Sequence, residues 1–247
     1  MADDLEFLEL KPDETLESIY DRVLMPAFTA DELEPLEDLR GYLGASPPEA
    51  FGLYAADPSD DPIGCCIYYP DHRAKTLLLG YMAVVADGRN RQVGSRLFEK
   101  SKAMWFDSDQ YDLVVAELDD PRVYPVANGI DPGRRMNFYS KLGCQLVCGP
   151  YFAPCVRPGG ERVYDMLLAV LGGSPRALHD SPTAVSVQFI AAWLKDYFAV
   201  EADFGHFDGD DLEWLLAAYA GNGTVELKPV ADYRRWHPPV APSRRAG

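Results

Sequence analysis

The chain has 247 residues, enough for one large domain or a domain with an appendage. Its composition, 47% hydrophobic and 25% charged, is that of a globular protein and excludes general disorder. A net charge of −16 repels nucleic acid and anionic membranes, so neither is expected as a partner, while it suits a cationic amine and serves solubility equally well.

The acidic N-terminus Met1-Ala2-Asp3-Asp4 lacks the features of a signal peptide, and no long apolar run follows, so a cytoplasmic location is expected. Glu6 to Leu10 alternates as a first strand. Two amphipathic helices follow, carrying Leu16, Ile19, Tyr20 and Val23, then Leu33, Leu36, Leu39 and Leu43. Phe51–Ala55 and Ile63–Tyr69 are strands separated by a turn-rich segment, and Leu77–Val85 is nearly continuously apolar, as in a strand buried on both faces. Val93, Leu97, Met104 and Trp105 share a helix face. The strand Leu113–Leu118, a helix through Phe138 and Tyr139, and strands over Gln145–Val156 and Val163–Val170 complete a mixed sheet.

After Gly172-Gly173-Ser174-Pro175 the pattern changes. Phe189, Ile190, Trp193, Leu194 and Tyr197 form one helical stripe, and Leu212, Leu215, Leu216 and Tyr219 another, with Asp210 and Glu213 as a capping pair. These faces pack on the preceding domain or on a second copy of the chain, which would make a homodimer. From Trp236 the chain reads as a mobile tail. Five cysteines without Cys-x-x-Cys spacing, and histidines without partners at ligand spacing, give neither a disulfide framework nor a metal site.

The most informative stretch runs from Met82 to Leu97, where an apolar strand, a basic turn and a helix start follow in succession. A helix N-terminus has unpaired N–H groups and a positive partial charge, so it can seat a pyrophosphate. Arg89, Arg91 and Arg96 add counter-charge, and Gly94 admits a ligand close to the backbone. A basic turn before a core helix would use the same residues.

The motif Arg89-x-x-Gln92-x-Gly94 resembles the acetyl-coenzyme A signature of the GCN5-related N-acetyltransferase (GNAT) family, Gln/Arg-x-x-Gly-x-Gly/Ala, with Gln92 in place of the first glycine. Asn137-Phe138-Tyr139-Ser140-Lys141-Leu142-Gly143-Cys144 resembles its second signature, a Phe-Tyr helix ending at Leu-Gly-Phe, with Cys144 for the Phe. Gly143 supplies the helix stop, while Phe138 and Leu142 are expected to dock on the sheet. The resemblance covers about residues 5–171.

It implies an α/β fold, with a mixed, mostly antiparallel central sheet flanked by helices over residues 1–171; beyond it the residue pattern itself gives a C-terminal helical extension at 172–235 and the tail at 236–247. It also implies transfer of an acetyl group from acetyl-CoA, without a metal, by direct attack of a primary amine of a small molecule or peptide. Cofactor contacts fall on Val84, Val85, Arg89, Asn90, Arg91, Gln92, Val93, Gly94, Ser95 and Arg96, with a backbone N–H of Val84 or Val85 facing the oxyanion. Tyr139 is the proton donor to the thiolate. The carboxylate that many members carry on the strand before the cradle is missing, because Gly80-Tyr81 stands there. Glu117, ionisable within an apolar strand, is the candidate base, although an arginine-satisfied structural carboxylate or proton loss to water would also fit. Asp119 and Asp120 could bind a cationic amine, and Arg157 a substrate carboxylate or simply the solvent. The alternative is a silent module that binds acyl-CoA as a sensor or assembles through its C-terminal helices.

Overall fold

The computed structural model describes residues 5–29, 32–86, 88, 92–106, 110–126, 131–155, 159–178, 182–201 and 209–239. The chain divides into two compact units, one of residues 1–70 and 77–108, the other of 71–76 and 109–247.

In the first unit, β1 (Glu6–Glu9) is followed by α1 (Glu14–Ile19), whose helix axis continues as a π-helical turn over Tyr20–Leu24, and by α2 (Leu36–Gly44). Asp13 starts α1 by accepting from the Thr15 amide at 2.9 Å, the bond an N-cap supplies. The strands β2 (Phe51–Ala56), β3 (Pro62–Asp71) and β4 (Thr76–Val84) follow, then α3 (Val93–Phe106). Strand order is β1-β2-β3-β4, with β1–β2 and β2–β3 antiparallel. Leu16, Ile19, Val23, Leu24 and Leu39 pack in one cluster with Ile67, Tyr81 and Ala83. Both helical stretches therefore lie on one face of β3 and β4.

The second unit holds β5 (Leu113–Asp119), α4 (Pro132–Lys141), β6 (Gln145–Val147), β7 (Met166–Gly173), α5 (Pro175–Leu178), β8 (Ala184–Ser186), α6 (Val187–Ala199), α7 (Gly209–Ala218) and β9 (Thr224–Pro229), with a 3₁₀ turn at Val230–Arg235. Its strand order is β5-β7-β6-β9-β8, with all four neighbouring pairs antiparallel. The fold is thus α/β with a mostly antiparallel sheet and flanking helices, as the sequence implies.

Three local expectations are corrected. The strand over 145–156 stops at Val147, because the next residues, Cys148-Gly149-Pro150, include a proline that cannot donate to a ladder. The last strand of the core begins at Met166 rather than Val163, after Asp165 turns the chain with φ of +60°. On α4 the buried stripe is Pro132, Met136 and Tyr139, while Phe138 is only half-buried. Gly143 does stop this helix, at φ of +77°.

The C-terminal segment contains both apolar helices, with Ile190, Trp193, Leu194, Leu215 and Tyr219 buried. It also contributes strands, since Gln145 to Val147 pair with Pro229 to Leu227 across β6 and β9. α7 begins at Gly209, so Asp210 lies within its first turn and is not its cap. Arg122 donates to the carbonyl oxygens of Tyr233, at 2.9 Å, and Trp236, which fixes the start of the expected tail. Ending the chain after Gly173 would strip β9 from β6 and remove the partner of the Pro150 carbonyl, the Tyr219 hydroxyl at 2.7 Å. The expected result is aggregation or a changed oligomeric state, read by light scattering. A soluble, fully active truncation of unchanged size would show these elements to be dispensable.

Candidate active site

Three arrangements carry chemistry. The first is the strand–turn–helix of β4 and α3. Arg89, Asn90 and Arg91 lie outside the described residues. Val84 ends β4, and Val93, Gly94, Ser95 and Arg96 form the first turn of α3, so the backbone amides of this turn are those at the helix N-terminus. The amide of Val85 donates to the Ile63 carbonyl at 3.0 Å and is thereby committed to the sheet, which removes it as an oxyanion donor. The Arg96 guanidinium lies 5.0 Å from the centre of the Phe7 ring. Gln92 enters the helix with φ of +59°, a left-handed conformation that favours glycine. This explains why the resembling signature has glycine there. Gln92→Gly should stabilise the fold by up to about 1 kcal/mol, and Gln92→Val should destabilise it, because a branched Cβ is most strained at positive φ. Thermal denaturation of the pair tests this, and equal midpoints would contradict it.

The second arrangement surrounds Glu117 on β5. Tyr151 donates to Glu117 Oε1, and Tyr197 to Oε2 at 3.2 Å. Trp193 stacks on both phenols, with ring centres 6.2 Å from Tyr151 and 5.1 Å from Tyr197. Burial pushes the carboxyl up from its ordinary range and the nearby Asp119 adds to this, while the two hydroxyl donors oppose it. Two phenols, not an arginine, hold this carboxylate. Neither was legible as a partner: Tyr151 lies in a loop, and Tyr197 belongs to an apolar stripe. Tyr139, on α4 of the same unit, is 5% exposed, with its ring edge-on to Phe138.

The acceptor candidates nearby are occupied. Arg135 donates to Asp119 at 3.1 Å, and Arg122 forks onto both oxygens of Asp120, which is 4% exposed. These two carboxylates are already neutralised and do not offer free charge to an amine. Arg157 lies outside the described residues.

The third arrangement is one that sequence reasoning missed. Glu34, just before α2, accepts on Oε2 from the Tyr69 hydroxyl of β3. Its amide donates to the Tyr81 hydroxyl of β4 at 3.0 Å, and that hydroxyl donates to the Glu32 carbonyl at 3.0 Å. Tyr20 donates to the Glu34 carbonyl at 3.1 Å. Burial raises the Glu34 carboxyl, and Asp38 contributes in the same sense, against the Tyr69 and Tyr81 hydroxyls. In the sequence Glu32-Leu33-Glu34-Pro35-Leu36-Glu37-Asp38 this residue reads as one acid among several on a solvated surface, and nothing local marks it.

Among the described residues no group of three His, Cys, Asp or Glu side chains is arranged to hold a metal ion, and no helix is long and apolar enough to cross a membrane. Among the described residues the cysteines at 65, 66, 144, 148 and 155 form no disulfide, and burial pushes the Cys66 thiol up to about 12. Cys65 and Cys66 are fully buried packing groups of β3.

No family model matches the sequence, and no curated protein matches it. Solved structures do match the fold. A protein of Bacteroides thetaiotaomicron assigned to the GNAT acetyltransferases is 22% identical over 68% of this chain and 88% of its own, with a TM-score of 0.52. One of Acinetobacter baylyi ADP1, assigned as an acetyltransferase, is 12% identical over 69% and 93%, with a TM-score of 0.50. The fold is that of the GNAT acetyltransferases. On this fold, β4 and α3 hold the residues that resemble the first GNAT signature, and α4 holds those that resemble the second.

Proposed function

We propose that this protein transfers an acetyl group from acetyl-CoA to a primary amine of a small molecule or peptide, by direct attack. The observation that carries this reading is the GNAT fold with a glycine-type left-handed residue, Gln92, opening α3 directly after β4. The N-terminal turn of α3, Val93 to Arg96, is assigned the pyrophosphate, together with Arg89, Asn90 and Arg91, which precede it in the sequence. Tyr139 is assigned the proton delivered to the departing thiolate, since a phenol donates without ionising at neutral pH. Glu117 is assigned the proton lost by the amine. A carboxyl raised by burial is a better proton acceptor near neutrality than an ordinary glutamate.

Atoms balance without a covalent enzyme intermediate. The amine nitrogen forms the amide bond, the carbon–sulfur bond breaks, one proton leaves the nitrogen and one reaches the sulfur. The deciding experiment is thiol release from acetyl-CoA in the presence of a panel of primary amines. Amine-dependent release supports the reading. Binding of acetyl-CoA with no release for any amine would leave the silent sensor in its place.

Cofactor binding has its own expected signature. Acetyl-CoA at a hundred times its dissociation constant should stabilise the protein by about 2.7 kcal/mol. Gly94→Trp should abolish that shift while the unliganded protein keeps its melting point. An unchanged shift would remove the first turn of α3 from the cofactor site.

A further inference from the structure

Several part-buried acids among the described residues are paired with arginine, and Glu34 is not. Asp119, Asp120 and Glu201 each hold an arginine. Glu117 accepts a phenol on each of its two oxygens. Glu34 accepts from Tyr69 and has the Tyr81 hydroxyl beside its carboxylate, and among the described residues no lysine or arginine pairs with it. Arg40, on the adjoining helix, is directed instead to Glu17 at 2.8 Å and Glu37 at 3.6 Å.

Around this charge stand aromatic rings from three elements. Tyr69 and Tyr81 meet at 67° with centres 6.2 Å apart, and Tyr42 of α2 meets Tyr69 at 77° and 6.2 Å. Phe28 closes on Tyr81 at 5.0 Å. Tyr69 can lie across β4 only because residue 80 is glycine: a Cβ there would collide with its Cδ2 and Cε2. The position that lacks a strand carboxylate is thus filled by a ring whose hydroxyl carries one. Glu34 and Tyr69 are half-buried, so the cluster opens to solvent on one side. Tyr81 stands three residues before Val84, about 10 Å along the strand that leads to the cradle.

We propose that Glu34, with the rings of Tyr69, Tyr81 and Tyr42, binds the ammonium group of the acceptor amine. An uncompensated carboxylate attracts a cation, and the negative faces of phenol rings favour the same charge. Neutral isosteres gain from neither. The site selects a cationic headgroup, and the size of the remaining substrate is set elsewhere. The assignment rests on the acyl-transfer reading: the bound ammonium first gives one proton to Glu117 to become the neutral nucleophile, and the second proton that the nitrogen sheds as the amide forms balances the one delivered to the sulfur.

The test separates the two. Binding of butylammonium, read by ligand-observed NMR without any acetyl-CoA, is expected for the wild type, with 1-butanol not binding. Glu34→Gln should weaken butylammonium by about 10- to 100-fold, the range for losing a charged hydrogen bond. Tyr69→Phe, the milder change, should weaken it less. In the acylation assay, Glu34→Gln should raise KM for the amine by the same factor, with kcat at saturating amine and the affinity for acetyl-CoA little changed. Butylammonium binding in a protein that acylates nothing would keep the subsite and discard the reaction. Equal binding of butylammonium and butanol, or a folded Glu34→Gln protein with wild-type affinity, would overturn the proposal.

Discussion

Tyr139→Phe is expected to lower kcat by about 10²–10⁴-fold, the range for loss of a positioned acid, while acetyl-CoA affinity stays near normal. The hydroxyl is all that is removed, and the ring that packs at 5% exposure beside Met136 remains, so folding is retained. Its companion, Glu117→Gln, fails differently. A base works only when deprotonated, so activity falls as pH drops through its pKa. Burial raises that pKa above the ordinary 4.5, so the acidic limb of the wild-type profile lies above the usual glutamate range. Glu117→Gln should lower the rate and erase this limb. Turnover near normal in Tyr139→Phe would leave solvent as the proton donor, and an intact limb in Glu117→Gln would reduce Glu117 to a bolt between Tyr151 and Tyr197.

The second large effect concerns stability. Glu201 is 2% exposed, and its carboxylate accepts from Arg162 Nε at 2.9 Å, from Nη2 at 2.7 Å and from the Cys155 amide at 3.0 Å. The Arg162 guanidinium in turn lies over Phe152 and Phe198. Glu201→Ala would leave this guanidinium and an amide buried without their acceptor. Removing one partner of a buried pair costs about 3–5 kcal/mol, so the urea midpoint should fall steeply. The double change Arg162→Leu with Glu201→Leu should recover most of that loss, because no charge is then stranded. A Glu201→Ala protein within about 0.5 kcal/mol of wild type, the range of an ordinary surface substitution, would show the pair to be energetically idle.

The order of these elements was readable because it depends on local patterning. The apolar run of β4, the glycine stop at Gly143 and the stripe through Ile190, Trp193 and Leu194 each declare themselves within a few residues. The site was readable only where a signature is contiguous. Glu34 meets residues 35 and 47 positions away, Glu117 meets Tyr151 and Tyr197 across 34 and 80, and Arg162 meets Glu201 across 39. None of these pairings has a period or a spacing. They exist because strands and helices bring distant hydroxyls and guanidinium groups onto acids whose partners no local pattern announces. Asp120 illustrates the converse: an acid at a strand end, apparently open to a substrate, is claimed by an arginine two residues later.

The vacancy at Gly80 couples two positions for any change of substrate. Installing an acid on β4, as Gly80→Glu, requires the space that the Tyr69 ring occupies, and removing that ring, as Tyr69→Ala, withdraws the hydroxyl from Glu34. The two positions therefore share one space, and the effect of the joint replacement should differ from the sum of the single effects. A side chain at position 80 and the Tyr69 hydroxyl on Glu34 exclude one another in this scaffold, so a change on β4 reaches Glu34 through the ring that lies between them.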